Sequence, residues 1–355
     1  MNLLTVHQDF NPTSGGGSTF QESILNELKS LNSRQFRIFT ARESIVNPGS
    51  SKRIVEQYNI DLVWYLFPTK NLFPVPYIST VWDLAHRAFP IFPEVTHEGS
   101  TFGHREEIYR SLLSSFRIVT GTEKLKTRLQ SAYGFEEERI IVNPFPVPGF
   151  TLITNVTGQE QPEEVDQNVR ILFYPAQFWP HKNHLTLIRA LGLLIRMNKD
   201  SGVIYQLHFT GSDKGNESFV RQQAESLGLM GNIVFHGFVT QKELLSHYDR
   251  AFALVYPSLF GPDNLPPLEA MARGCPVATA DIEGAREVYA DGVVYFNPLD
   301  PSSIANSIMA IADEAIRTRI TVRGKYLASQ RSVATYMKTI LDQVSKFSAC
   351  RALYS

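Results

Sequence analysis

The chain has 355 residues, 43% of them hydrophobic and 19% charged, the balance of a globular protein long enough for two domains that each bury a core. Lys+Arg 34 against Asp+Glu 35 gives a net charge of -1, which excludes the broad basic field that holds a nucleic-acid backbone, so no nucleic-acid partner is expected. Two cysteines, Cys275 and Cys350, offer no disulfide framework, and the nine histidines show no paired helical spacing with carboxylates, so no metal site is expected.

The N-terminus, "MNLLTVHQDF", has no basic region ahead of a long apolar core, and no run approaches about 18 apolar residues. A soluble, cytoplasmic chain is expected, with peripheral contact at the inner face of a membrane left open. Short β-rich runs then alternate with helical patterns: "NLLTV" 2–6, a helix from about Thr19, "QFRIF" 35–39, "DLVWYL" 61–66, "YISTV" 77–81 and "FRIVT" 116–120. That alternation predicts an α/β fold with a parallel sheet wrapped by helices. The polar stretch 151–168 breaks the rhythm as a linker or surface loop would. Afterwards the alternation restarts with "VRILFY" 169–174, "IYQLHFT" 204–210, "NIVFHGF" 232–238, "AFALVY" 251–256, "CPVATA" 275–280 and "VVYF" 293–296. Domains are therefore expected at 1–150 and 169–330. A last helix over 331–355, capped by Ser332 and apolar at Val333, Tyr336, Met337, Ile340, Leu341, Val344 and Phe347, is expected to pack back towards the N-terminal domain.

Ligands of open parallel sheets bind beyond the carboxyl ends of the strands, so the loops there carry the chemistry, at a cleft shared by two such domains. After 2–6, Gly15, Gly16 and Gly17 run into a helix expected near Ser18. The run reads equally as a flexible turn or as a cradle of backbone N–H groups for phosphate, and it lacks the G-x-G-x-x-G spacing of a nicotinamide dinucleotide site. After 169–174, Lys182 precedes a helix starting near Asn183, where it is either a solvated lysine or a point charge for a diphosphate. Gly211 lies in the polar turn "TGSDKGN". Phe238 and Val239, after a glycine, either pack in the core or flank a flat base.

The stretch "FGPDNLPPLEAMARGCPVATA" (260–280) predicts a helix of about two turns. Pro266 and Pro267 suit its first turn, Gly274 its left-handed end, and Pro276 releases a strand. Its N-terminus, Pro266 to Leu268, offers a positive dipole end, although the prolines remove donors. Glu269 reads either as an acid favoured near a helix start or as an acceptor of paired ribose or sugar hydroxyls.

These loops together resemble the retaining glycosyltransferases of family four, group 1 type, which have the GT-B fold of two Rossmann-like doubly wound domains facing a cleft. The match is densest in "PSLFGPDNLPPLEAMARGCPVATADIEGAREVYADGVVYFNPLDPSSIANSI" (257–308), with "FYPAQFWPHKNHLTLIRAL" and "FTGSDKGN" upstream. It is looser in "GGGSTF", "STVWDLAHRAFP" and "RIVTGTEKLKTRLQSAYG". The resemblance implies a pair of donor-loop glutamates with seven residues between them. The second falls on Glu269, at the ribose; the first falls on Gly261, leaving Asp263 or Asn264, with backbone groups of Asn264 and Leu265, to hold the sugar. It implies an arginine and a lysine on the diphosphate. The lysine is Lys182, Gln177 stands near the arginine position, and Arg286 could supply the missing charge or be a surface residue. Glu287 matches a glutamate of mainly structural role. Relatives often carry a His-Asp pair after an N-terminal-domain strand; here Trp82 and Asp83 stand there, with His86 one turn on, so Asp83 or His86 could touch acceptor or sugar, or His86 could simply cap or pack.

The implied activity is transfer of a hexose from a nucleotide-diphosphate sugar to an acceptor hydroxyl with retention, without metal and with no cofactor beyond the donor. UDP-glucose is preferred over GDP-mannose, and by family habit the acceptor is a glycan or lipid-linked glycan in polysaccharide biosynthesis. Two alternatives stand beside it: a nucleotide-sugar epimerase of the same architecture, and a non-catalytic sugar-nucleotide-binding subunit.

Overall fold

A computed structural model describes residues 1–9, 15–31, 35–96, 100–152, 168–261 and 263–353. The chain divides into two compact units, Met1–Pro146 with Arg331–Ser355, and Val147–Gln330. The first division falls at 146/147, ahead of the stretch 151–168 where composition placed the boundary. Of the expected linker, 153–167 lies outside the described residues.

In the first unit the strands are β1 (Asn2–His7), β2 (Arg37–Arg42), β3 (Leu62–Tyr65), β4 (Tyr77–Val81), β5 (Arg117–Thr120) and β6 (Ile140–Val142). They form one parallel sheet in the order β2-β1-β3-β4-β5-β6. β3 and β4 are buried along their whole length, which is why they read as largely apolar or β-branched runs, with Ser79 alone interrupting β4. Two details depart from the sequence reading. β2 runs to Arg42 rather than ending near 39, and β6, three residues at a sheet edge, is too short to leave a periodic signal.

The terminal helix Val333–Ala352 belongs to this unit. Ser332 caps it by accepting from the Thr335 N–H at 3.0 Å. Its buried face, Tyr336, Met337, Ile340 and Val344, recurs at helical period. Tyr336 meets Phe20 edge-on at 5.5 Å, and Asn143 Nδ2 donates to the Tyr336 carbonyl at 3.1 Å. Further along, Phe347 packs on Phe116, and Arg351 pairs with Asp61 at 2.5 Å.

The second unit contains β7 (Val169–Pro175), β8 (Ile204–Thr210), β9 (Ile233–Phe235), β10 (Ala253–Tyr256), β11 (Val277–Ala280) and β12 (Val294–Phe296), again all parallel, in the order β12-β11-β10-β7-β8-β9. Its core joins Leu172, Phe173, Leu207, Phe209, Leu254 and Val255 from the sheet to Leu187, Leu191, Ile304 and Ile308 from the covering helices. β9 stops at Phe235, short of the expected 238, because Gly237 takes a left-handed turn at φ +68°. Among the described residues no helix is long and apolar enough to cross a membrane.

Candidate functional site

The strand order sets β10, β7, β8 and β9 side by side, so the loops following these parallel strands emerge along one edge of the second sheet. Gln177 and Lys182 follow β7, Gly211 follows β8, Phe238 and Val239 follow β9, and Gly261 to Leu265 follow β10.

Three of these loops are bonded to one another through backbone. Ala176 N–H donates to the Thr210 carbonyl at 2.8 Å, and Gly211 N–H to the Gly237 carbonyl at 2.8 Å. Gly211 sits at φ +147°, and a Cβ there would collide with the Ala176 carbonyl, so only glycine fits. Gln177 is turned towards its own loop, its Oε1 accepting from Trp179 Nε1 at 3.0 Å.

The β7 and β10 loops are joined by Asn183, which is left-handed at φ 59° and caps the helix His184–Met197. Its buried amide donates to the Pro257 and Pro298 carbonyls at 3.1 and 2.8 Å, while its oxygen accepts from Thr186 at 2.6 Å. Beside it the His181 ring stacks on Phe260 at 4.0 Å. Lys182 is thereby delivered to the β10 loop. Its Nζ donates to Asn264 Oδ1 at 2.9 Å and to the Tyr256 hydroxyl at 3.2 Å, and the Tyr256 hydroxyl donates to the same Asn264 oxygen at 3.1 Å. The structure therefore brings together two residues picked out from sequence, Lys182 and Asn264, and adds Tyr256, the last residue of β10.

Asn264 is also the N-cap of the helix Leu265–Arg273, one residue earlier than Pro266. Its side chain makes no cap hydrogen bond, because it is turned to Lys182 and to the Phe260 and Gly261 carbonyls, and Tyr289 holds its carbonyl at 2.9 Å. Pro266 and Pro267 lie in the first turn and Gly274 closes the helix at φ 77°, as the sequence indicates. Asp263 is half-buried in the turn before Asn264. Gly261 sits at φ +88° with Asn264 Nδ2 3.0 Å from where a Cβ would stand. A glutamate at that position would be strained and crowded.

Glu269 lies beyond the first turn and is only 5% exposed. That overturns its reading as a helix-start acid held by the dipole. The Tyr248 hydroxyl donates to its Oε2 at 2.6 Å, and burial pushes its carboxyl up to about 7 despite that bond. Phe238 is 52% exposed, so the core-packing explanation fails for it, whereas Val239 is half-buried. Arg286 is exposed and paired with Asp281 at 2.9 and 2.6 Å, the surface role rather than the compensating one. Glu287 is exposed.

In the first unit, Gly15 precedes the helix Gly16–Ser30, which starts two residues before the expected Ser18. A Cβ on Gly17 would approach the Trp82 ring to 2.7 Å, so this glycine admits the indole that follows β4. Next to Trp82, Asp83 Oδ1 accepts from Ala85 N–H at 2.8 Å and from Arg105 at 3.3 Å, and its carbonyl accepts from the Tyr109 hydroxyl. His86 does not fit the expected contact with a ligand. It is 0% exposed, its Nε2 faces Glu106 Oε1 at 2.9 Å and the Tyr133 hydroxyl at 3.3 Å, and burial holds it below the ordinary imidazole range against the pull of Glu106. Arg87 clamps the same carboxylate at 2.6 and 2.7 Å. His86 packs; it does not reach solvent.

Residues 156–325 match the family model of glycosyl transferases group 1. Over that stretch the chain is similar to this family. Among its relatives, the O-antigen chain mannosyltransferase RfbU of Salmonella typhimurium is 33% identical over 194 residues, 55% of this chain and 50% of the relative. The chain spans about half the length of the curated relatives it matches. The crystal structure of Anabaena HepE in complex with UDP and glucose is similar with a TM-score of 0.72 at 18% identity, covering 98% of this chain and 100% of that one. The sucrose-phosphate synthase of Thermosynechococcus elongatus is similar with a TM-score of 0.78 at 15% identity, covering 98% and 99%. The fold is GT-B.

Sequence reasoning did not single out Asn183, Tyr256, Tyr248 or Glu106. Asn183 and Tyr256 carried a readable signal: an asparagine before a helix tolerates the left-handed region, and a tyrosine closing a buried strand places its hydroxyl at the sheet edge.

Proposed function

We propose that this protein moves a hexose from a nucleotide-diphosphate sugar to a hydroxyl of a glycan or lipid-linked glycan, with retention and without metal. The observation that carries the reading is the Lys182 ammonium held 2.9 Å from Asn264 at the start of the helix Leu265–Arg273. A fixed cation beside a helix N-terminus stabilises charge growing on a departing diphosphate. Asn264 and Asp263 serve the sugar hydroxyls, and the exposed Phe238 serves the base. Glu269 serves the ribose, whose hydroxyls would donate to a carboxylate that burial now disfavours. Binding then draws Glu269 back towards its ordinary range and releases a proton, so donor affinity rises as pH rises through about 7.

Of the two donors weighed, the mannosyltransferase relative favours GDP-mannose over UDP-glucose. The test is a thermal-shift panel of nucleotide sugars, followed by transfer to lipid-linked glycan acceptors. GDP-mannose should raise the unfolding midpoint, more at pH 8 than at pH 6, and should then be consumed only when an acceptor is present. A shift with UDP-glucose alone would reassign the sugar. Conversion of donor without acceptor would indicate an epimerase, and binding without transfer a non-catalytic subunit. No shift with any nucleotide sugar would overturn the reading.

A further inference from the structure

Three histidines far apart in sequence meet on the second unit, outside the site just described. His208 comes from β8, His236 from the turn after β9, and His247 from the helix Gln241–Arg250. One ring nitrogen from each lies within 4.8 Å of the other two, and His236 is exposed, so the cluster opens to solvent.

Hydrogen-bond geometry sets the lone pairs. His208 Nε2 lies 3.3 Å from Gln206 Oε1, an acceptor that holds the ring proton on Nε2 and leaves Nδ1 bare. That Nδ1 is 3.1 Å from His236 Nε2. Two nitrogens bound at 2.0–2.1 Å to one tetrahedral zinc stand about 3.3 Å apart, so this pair is already at ligand spacing. The imidazole centroids are separated by 5.0, 4.5 and 6.2 Å, against roughly 5 Å for three imidazoles around one such ion. The His247 ring is stacked on Phe173 at 5.0 Å, which limits its swing and keeps it beside the other two.

We propose that His208, His236 and His247 form a binding site for a zinc-class divalent cation, with water in the position facing solvent. On binding, His236 moves its proton from Nε2 to Nδ1, so that the ion replaces the hydrogen now shared with His208, and no net proton is released from the pair. Arg250, on the same helix as His247, opposes a cation electrostatically, and its exposed side chain is free to turn into water. Glu243, one turn before His247, caps Thr240 and offsets part of that opposition. The site ties β8, the β9 turn and the helix together, and so steadies the segment Gly237 to Val239 that carries Phe238. The nine histidines showed no metal-site spacing along the chain because the three ligands sit on three separate elements.

The test uses the full chain free of any histidine tag and stripped with chelator, titrated with Zn²⁺ by calorimetry and with Co²⁺ by visible absorption. One equivalent per chain is expected, with tetrahedral cobalt bands and a raised thermal midpoint. His236→Ala, at an exposed position, should fold normally and lose the equivalent, and Gln206→Ala should weaken binding by about tenfold to a hundredfold. No saturable binding by the wild-type chain, or an equivalent retained in His236→Ala, would overturn the site.

Discussion

Lys182 with Asn264 in one unit and His86 in the other each follow the carboxyl end of a parallel strand, and each was marked by that position as a candidate for chemistry. They differ in what surrounds the titratable residue. Lys182 stands half-buried at a sheet edge, oriented by neutral oxygens of Asn264 and Tyr256, next to a helix N-terminus. His86 is sealed, with Glu106, Tyr133 and Tyr109 packed against it and Arg87 stacked on the Tyr133 ring. Position after a strand therefore selects candidates, and at these two positions the charged and aromatic partners packed around the side chain separate a cation beside a helix N-terminus from a ring that organises its own loop.

The largest effect separates the two groups by activity. Replacing Lys182 with alanine removes the cation assigned to the diphosphate and should lower turnover on the order of a hundredfold to a thousandfold. The unfolding midpoint should stay close to wild type, because the lost partners keep the Tyr256–Asn264 bond. Steady-state assays beside a urea melt check both halves, and near-normal turnover would remove Lys182 from its role.

The converse is expected of Glu106→Gln. Glu106 accepts from Arg87, His86 and Tyr133, and the Arg87 hydrogen bond above all holds its acid down at about 2. A depressed carboxyl stabilises the fold above its ordinary pKa of 4.5 and loses that contribution as pH falls towards 2. Losing the charge at pH 7 should cost roughly 2 kcal/mol, discounted for the side of Arg87 that faces water. The gap to wild type should close as pH falls below 4.5. Turnover of the folded variant should be retained; a stability loss that ignores pH would detach Glu106 from this account.

How much of this was legible follows from distance along the chain. The central strands of both sheets showed as largely apolar runs because buried parallel strands have no polar face to break them, whereas the edge strand β6 was too short to show. The loops carrying Lys182, Gly211, Phe238 and Asn264 were legible because each follows its strand within a few residues. The sealing of His86 was not, since its partners Glu106 and Tyr133 stand 20 and 47 residues away. The histidine cluster was hidden for the same reason, with His208 and His236 separated by 28 residues. Glu269 was placed correctly on its helix, but Tyr248, 21 residues upstream, decides its environment.

The smallest expected effect refines the unit that carries Lys182. Gly261 occupies the position where relatives are implied to carry a glutamate, and restoring that residue is the obvious repair. The backbone argues against it. At φ +88° a residue with a Cβ costs about 1–2 kcal/mol, and the new Cβ would press on Asn264 Nδ2 at 3.0 Å. That amide bonds the Gly261 and Phe260 carbonyls while its oxygen holds Lys182, so displacing it disturbs the cation as well. Gly261→Glu should therefore lower the urea midpoint slightly and reduce turnover rather than raise it, and Gly261→Ala should do the same to a lesser degree. If the glutamate variant were instead faster than wild type, the turn would have to relax out of the left-handed region, and Asn264 would lose its claim to the sugar.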